Sequence, residues 1–306
     1  MQGNNILVFG SLVMDFVSVL EKFPAPGETV PGVKFFKNPG GKGANQSVAC
    51  ARLGSTVDMI GQVGRDVFGD ELISSLEREN IGVNHIQKLD SDSSGVASIY
   101  VDKHGENTIV VTYGANFAPL ILTKDDLEET FSTAGILLLQ NEVDINSNFE
   151  LAQAAKDRNV IVIWDPAPPR EGAEKIASYS DFITPNQIEA SVLAGIKITS
   201  LEDAYLACEN LASRYSATPI ITLGSLGVVY SCDEDIIHVP AVSTKAIDTV
   251  AAGDSFTGGF AVAISNGYTL NEAVKFAVSC SSIAVSREGA QSSMPYLKDL
   301  DMSPQN

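Results

Sequence analysis

Ile6-Leu7-Val8-Phe9 places four apolar residues in a row near the start of the chain, with no polar residue between them. A strand with one wet face alternates apolar and polar side chains. A strand covered on both faces has no such need, so this run reads as a buried strand of a parallel sheet. Runs of the same kind return at 136–139, 160–164, 182–183 and 220–223. Stretches with helical spacing lie between them. Residues 43–53 carry Ala44, Val48 and Ala51 on one stripe, and Gly54 suits the stop. Residues 68–80 carry Leu72, Ile73 and Leu76, with Gly82 following; 148–158, 201–215, 253–265 and 271–286 also read as helices. This alternation predicts one doubly wound α/β domain over 1–306, a mostly parallel sheet flanked by helices.

Two regions break the rhythm. Residues 12–37 are punctuated by Pro24, Pro26, Gly27 and Pro31, and 95–113 reads as a hairpin, with strands at 96–101 and 108–113 around a turn at 102–107. They predict a small antiparallel β lid inserted at about 12–38 and 95–114. A lone small sheet has an apolar face to cover, with the main domain or with the lid of a second copy. The tail after Pro295 is polar and reads as free to fray.

With 306 residues, 44% of them hydrophobic, the chain is long enough for a large core. Its 38 acidic residues outnumber 20 Lys and Arg, a net charge of -18, which repels nucleic acid and acidic membranes. A nucleotide must then be held by local groups and a cation. Cys50, Cys208, Cys232 and Cys280 are widely spaced without a C-x-x-C and read as reduced thiols. His85, His104 and His238 are scattered, read as surface or loop residues, and show no metal-ligand spacing. No apolar run approaches the ~20 residues of a membrane span, and no basic leader with a cleavage site is visible. The expected location is cytoplasmic.

Chemistry concentrates in two segments. Asp248-Thr249-Val250-Ala251-Ala252-Gly253-Asp254, followed by Ser255-Phe256-Thr257-Gly258-Gly259-Phe260, sets small residues and a carboxylate where a loop enters a helix. Unpaired N–H groups at a helix start attract anions, and small residues let a phosphate approach. A carboxylate there can take a proton from a hydroxyl, which points to phosphoryl transfer to an alcohol. The alternative is an ordinary helix-capping Asp. Gly40-Gly41-Lys42-Gly43-Ala44-Asn45-Gln46 opens the first helix and offers close backbone approach, a cation and an amide. It is neither a Walker A loop nor a dinucleotide fingerprint, and a plain glycine-rich turn is its alternative.

With Gly61-Gln62-Val63-Gly64-Arg65-Asp66 and Phe68-Gly69 behind it, the 40–46 segment resembles the first signature of the ribokinase family of sugar kinases. The 248–254 segment resembles the second. Pro185-Asn186-Gln187-Ile188-Glu189 and Thr222-Leu223-Gly224-Ser225-Leu226-Gly227 match in order and spacing, so the resemblance spans about 6–295.

The resemblance implies ATP-dependent phosphorylation of the 5-hydroxyl of D-ribose. Asp254 would be the base, with the N–H groups of Ala251, Ala252 and Gly253 as anion hole. Gly41, Lys42 and Asn45 would contact the sugar, Asp15 would grip ring hydroxyls and Glu142 would lie beside it. Asn186 and Glu189 would organise Mg²⁺ through water, unless Glu189 is simply an exposed first-turn acid. Thr222, Gly224 and Gly227 would form a loop over the nucleotide, in any case a strand-to-strand turn, with Ser279 near the base. Asp248, Val250, Ala284, Arg287, Gly289 and Ser293 would hold a monovalent cation, K⁺, mostly through backbone carbonyls. The alternative for 287–289 is an ordinary helix C-terminus. The implied partners are the small-molecule sugar, ATP and a second copy joined through the lid, with no nucleic acid and no membrane.

The chain departs from the pattern at Val13, where the family usually has Asn two residues before the sugar-binding Asp. Losing that amide costs a buried hydroxyl its partner, about 1–3 kcal/mol. An apolar residue there, as in deoxyribokinases of the family, suits 2-deoxy-D-ribose, although a neighbouring residue can replace the contact and keep ribose. Another small-sugar or nucleoside kinase, and a non-catalytic sugar-binding regulator, are the remaining readings.

Overall fold

The computed structural model describes residues 5–300. The chain enters on β1 (Asn5–Phe9), builds β2 (Val13–Leu20) and β3 (Gly32–Gly40), and returns through α1 (Lys42–Arg52), β4 (Val57–Gly64), α2 (Val67–Arg78) and β5 (Gly82–Leu89). It leaves again for β6 (Gly95–Val101) and β7 (Asn107–Thr112), then passes α3 (Lys124–Phe131). The second half runs β8 (Ala134–Leu139), α4 (Ile145–Lys156), β9 (Ile161–Trp164), β10 (Phe182–Ile183), α5 (Gln187–Ala194), α6 (Leu201–Arg214), β11 (Thr218–Thr222), β12 (Val228–Cys232) and β13 (Asp235–Val239). It closes with α7 (Ala252–Ser265) and α8 (Leu270–Ala284).

The main sheet has the order β13-β12-β11-β10-β9-β8-β1-β4-β5. It is parallel from β11 to β5, with β12 and β13 added antiparallel at one edge. The unbroken apolar runs have a simple cause. Leu7, Phe9, Leu137 and Leu139 point into one core, while Ile6, Val8, Ile136 and Leu138 point into another on the opposite face. β1 lies between β4 and β8, so the winding reverses at β1. In open α/β sheets the ligand crevice forms at such a reversal, beyond the carboxyl ends of the strands.

The lid sheet runs β3-β2-β6-β7. Each hairpin is antiparallel, but β2 and β6 pair parallel, because both hairpins enter the lid from the same end with Val13 opposite Gly95. Asn116 fixes this entry: its amide accepts from Leu12 N at 2.9 Å and donates to the carbonyls of Leu12 and Tyr113.

Several boundaries moved. The helix expected over 148–158 starts at Ile145, because Asp144 accepts from Ser147 N and starts the turn early. The short α3 was not foreseen; a Thr123–Asp126 capping box launches it. The tail expected to fray after Pro295 instead turns at Leu297–Asp299 and buries Leu300, and residues 301–306 lie outside the described residues. Among the described residues no helix is long and apolar enough to cross a membrane.

Candidate active site

The ends of β1, β8 and β9 deliver Ser11, Glu142 and Asp165 to one crevice, and the first turns of α1 and α7 close it. Contact without intervening side chains makes this possible. A Cβ on Gly43 would fall 2.5 Å from the carbonyl carbon of Gly10, so the start of α1 lies directly on the backbone leaving β1. Gly41, with φ 93, caps α1 in a backbone conformation that favours glycine. The close approach read from the 40–46 segment is thus, first, an approach to the protein's own backbone. A Cβ on Gly258 would lie 2.6 Å from Ala49 Cβ, which lets α7 pack onto α1.

That packing carries Asp254, 3% exposed, into contact with three residues of α1. Asn45 Nδ2 donates to Asp254 Oδ2 at 3.0 Å, and Gln46 Nε2 donates to Oδ1 at 3.2 Å. Lys42 Nζ stands 3.4 Å from Oδ1. Asp165 Oδ2 takes the same two donors, Gln46 Nε2 at 2.9 Å and Lys42 Nζ at 3.5 Å. Gln140 Nε2 donates to Gln46 Oε1 at 2.7 Å and so fixes which end of that amide faces the carboxylates. Burial works against the charged form of Lys42, but Asp165, Asp254, Glu142 and Glu189 outweigh it and hold the ammonium well above the usual lysine range. Burial pushes the Asp165 carboxyl up, against the pull of Lys42.

A second acidic pair faces the lid. Glu142 Oε2 accepts from Ser11 Oγ at 2.6 Å and from Lys42 N at 3.1 Å. Asp15, on β2, is pushed up to about 7 by burial and then by the negative charge of Glu142. Val13, at the root of β2, is 3% exposed.

At the start of α7, Ala251 caps the helix in the left-handed region, φ 59, and no side chain caps it. Gly253 is exposed, and a Cβ there would meet nothing within 4 Å. The first turn of α7 therefore presents backbone N–H groups to an open approach, with Asp254 as its third residue. The capping alternative for Asp254 does not hold, since its oxygens are engaged by α1.

The other expected residues fall in three places. Asn186 caps α5, and its N and Nδ2 each donate to Glu189 at 2.8 Å. The exposed-acid alternative for Glu189 is overturned: this capping box folds its carboxylate back, leaving it 5% exposed, and burial raises its pKa. Thr222 pairs with Asn186 in a parallel bridge, and Gly224 and Gly227 bound the turn between β11 and β12. Ser279 is not drawn to these groups; its hydroxyl donates to Lys275 O within α8. Asp248 ties two loops together, accepting from Val250 N at 3.0 Å and from Gly289 N at 2.9 Å. Ala284 and Ser293 are buried nearby in sequence, and Arg287 turns its side chain to Asp299.

A family model described as pfkB family carbohydrate kinase matches residues 4–297. The chain belongs to the pfkB family of carbohydrate kinases. Within that pfkB group it is similar to a ribokinase of Schizosaccharomyces pombe, 38% identical over 98% of this chain and 97% of the relative. A deoxyribokinase of Salmonella typhi is 33% identical over 97% of each. The fold matches the structure of Arabidopsis thaliana ribokinase complexed with ribose and ATP, with a TM-score of 0.89 at 30% identity and 97% coverage of each chain. This pfkB chain is accordingly an ATP-dependent sugar kinase of the ribokinase family.

Sequence reasoning gave no role to Ser11, Gln46, Gln140 or Asp165. A signal for Asp165 was present: it directly follows the buried run of β9, at the strand end where open α/β sheets bind ligands.

Proposed function

We propose that this kinase transfers the γ-phosphoryl group of ATP to the 5-hydroxyl of D-ribose, giving ribose 5-phosphate and ADP. The observation that carries the reading is the buried Asp254 carboxylate, held by Asn45 and Lys42 in the first turn of a helix with no side-chain cap. Asp254 takes the hydroxyl proton as the sugar oxygen attacks the γ-phosphorus. The N–H groups of Ala251, Ala252 and Gly253 hold the charge of the phosphoryl group in flight. Asn45 Oδ1 is buried without a partner among the described residues, which suits an acceptor waiting for a sugar hydroxyl. Asp15, Gly41, Lys42 and Glu142 complete the sugar side, and Asn186, Thr222, Gly224 and Gly227 the nucleotide side.

Mg²⁺ would neutralise phosphate charge. Glu189 would orient that ion through water rather than bind it directly, since both its carboxylate oxygens already accept from Asn186. A monovalent cation such as K⁺ would sit by the 248–250 and 289 loops that Asp248 staples, held mostly by backbone carbonyls, since both Asp248 oxygens already accept backbone N–H groups.

A second reading, preference for 2-deoxy-D-ribose, is favoured by one observation, the buried apolar Val13 at the root of the lid. A homodimer through the lid is supported by Val33, Phe35, Ile109 and Val110, all exposed on its two outer strands. ADP release measured with a panel of ribose, 2-deoxyribose, fructose and nucleosides tests the reading. Turnover fastest with D-ribose supports it; no turnover with any sugar leaves a binding regulator and removes it.

A further inference from the structure

Two buried carboxylates share one ammonium and one amide in this site. Asp165 Oδ2, Gln46 Nε2, Asp254 Oδ1 and Lys42 Nζ form a closed four-atom ring, with edges of 2.9, 3.2, 3.4 and 3.5 Å. Both edges to Lys42 exceed the ~2.7–2.9 Å of a tight charge-assisted bond. The ammonium is therefore divided between two acids rather than committed to one. Asp165 is not needed to anchor the strand end, because its backbone N already donates to Leu139 O at 2.9 Å.

We propose that Asp165 is a positioning residue for the phosphoryl-transfer reaction: as a counter-anchor it holds Lys42 and Gln46 back from a tight pairing with Asp254 Oδ1, which would weaken that carboxylate as a base. This rests on the reading of Asp254 as base. Without the second carboxylate, the ammonium has Asp254 as its nearest anion and the Gln46 amide has one fixed acceptor fewer. Both donors then close on Asp254 Oδ1 and lower the carboxylate's affinity for the hydroxyl proton. The charged groups bearing on the ring are Lys42 from α1, Asp254 from α7, Glu189 from α5 and Glu142 beyond β8. A buried acid that costs desolvation and lies beside another acid stabilises the fold poorly, so a role in placing its neighbours accounts better for its presence.

Asp165→Asn keeps the shape and an acceptor for Gln46 while removing the charge. Its kcat should fall at least ~10-fold, toward the ~10²-fold that a 1 Å misplacement costs. The sugar KM should change less than kcat, since Lys42 is the one proposed sugar contact that shifts. The acid limb of kcat/KM should move to lower pH, because the base loses a negative neighbour and gains the ammonium outright. Gln46→Met, which takes a donor from Asp254 Oδ1 as well as from Asp165 Oδ2, should by contrast not move the acid limb to lower pH. Both variants are assayed with whichever of ribose and 2-deoxyribose turns over faster, and their melting midpoints are measured. A wild-type kcat in a folded Asp165→Asn protein, an unmoved acid limb in that protein, an acid limb lowered equally in Gln46→Met, or an Asp165→Asn loss matched by a lowered melting midpoint would overturn the proposal. Asp254→Asn in the same series separates the two readings. Near-normal turnover there removes the base assignment itself, whereas an inactive Asp254→Asn beside a wild-type-like Asp165→Asn removes only the role of Asp165.

Discussion

Asn45 donates to Asp254 Oδ2 at 3.0 Å, and its own Oδ1 is buried without a partner among the described residues. One amide thus links the helix expected to face the sugar with the helix expected to face the phosphate. A buried acceptor left unpaired costs about 1–3 kcal/mol, and a sugar hydroxyl that donates to it removes that cost at the place where the hydroxyl must be deprotonated.

If Asp254 is the base, Asp254→Asn lowers kcat by at least ~10²-fold with little change in sugar affinity. Steady-state rates together with sugar titration by calorimetry check this. Near-normal turnover removes the assigned role.

If Val13 sets the sugar preference, Val13→Asn should shift the ratio of kcat/KM for ribose over 2-deoxyribose toward ribose, by roughly 5- to 150-fold for a hydroxyl contact of about 1–3 kcal/mol. A ratio unchanged from wild type means another residue serves that hydroxyl.

Asp15 predicts a pH dependence of stability. Its pKa is raised to about 7 in the folded protein from 3.8. Between about pH 4 and 7 the native state therefore holds a proton that the unfolded chain has lost, and stability falls as pH rises through that window. Asp15→Asn cannot ionise, so its denaturation midpoint should decline less than that of wild type from pH 4.5 to 7.5. Parallel curves would show that Asp15 titrates as it does in water.

Of the loops stapled by Asp248, that at 248–250 runs directly into the first turn of α7, so a cation there should steady that turn. Turnover should be faster in K⁺ than in tetramethylammonium, and Asp248→Ala should erase most of the difference. Equal wild-type rates in the two salts count against the ion.

Phe35 on the lid's outer strand is 62% exposed. If that face pairs two copies, Phe35→Asp should halve the mass seen by light scattering while leaving the melting midpoint close to wild type. A wild-type protein that already scatters as a monomer at micromolar concentration rules the lid dimer out.

The main sheet could be read from its sequence because strands buried on both faces need no polar residues. β4 was harder: Gly61, Gln62 and Gly64 interrupt its apolar pattern although all are buried, Gly61 lying against Leu12 and Gln62 donating to Pro119 O. α3 escaped notice because its eight residues are mostly polar and only Thr130 and Phe131 are buried. In the site, the glycines and Asp254 were legible as local motifs. The ring around Gln46 was not, because its partners lie 119 and 208 positions away and only the fold brings them together. Glu189 misled in the opposite direction: a first-turn acid usually faces water, but here the cap draws it inward.

Gly258 brings one helix onto another with no side chain to cushion the contact, and Gly43 does the same between α1 and the strand exit. Asp254 and its α1 partners consequently share a single closely packed block. The lid strands meet that block through the Leu12–Asn116 latch. If Asp254 is the base, altered sugar choice becomes a matter of redrawing the lid's roots around Val13 and Asp15, with the block itself left as it stands.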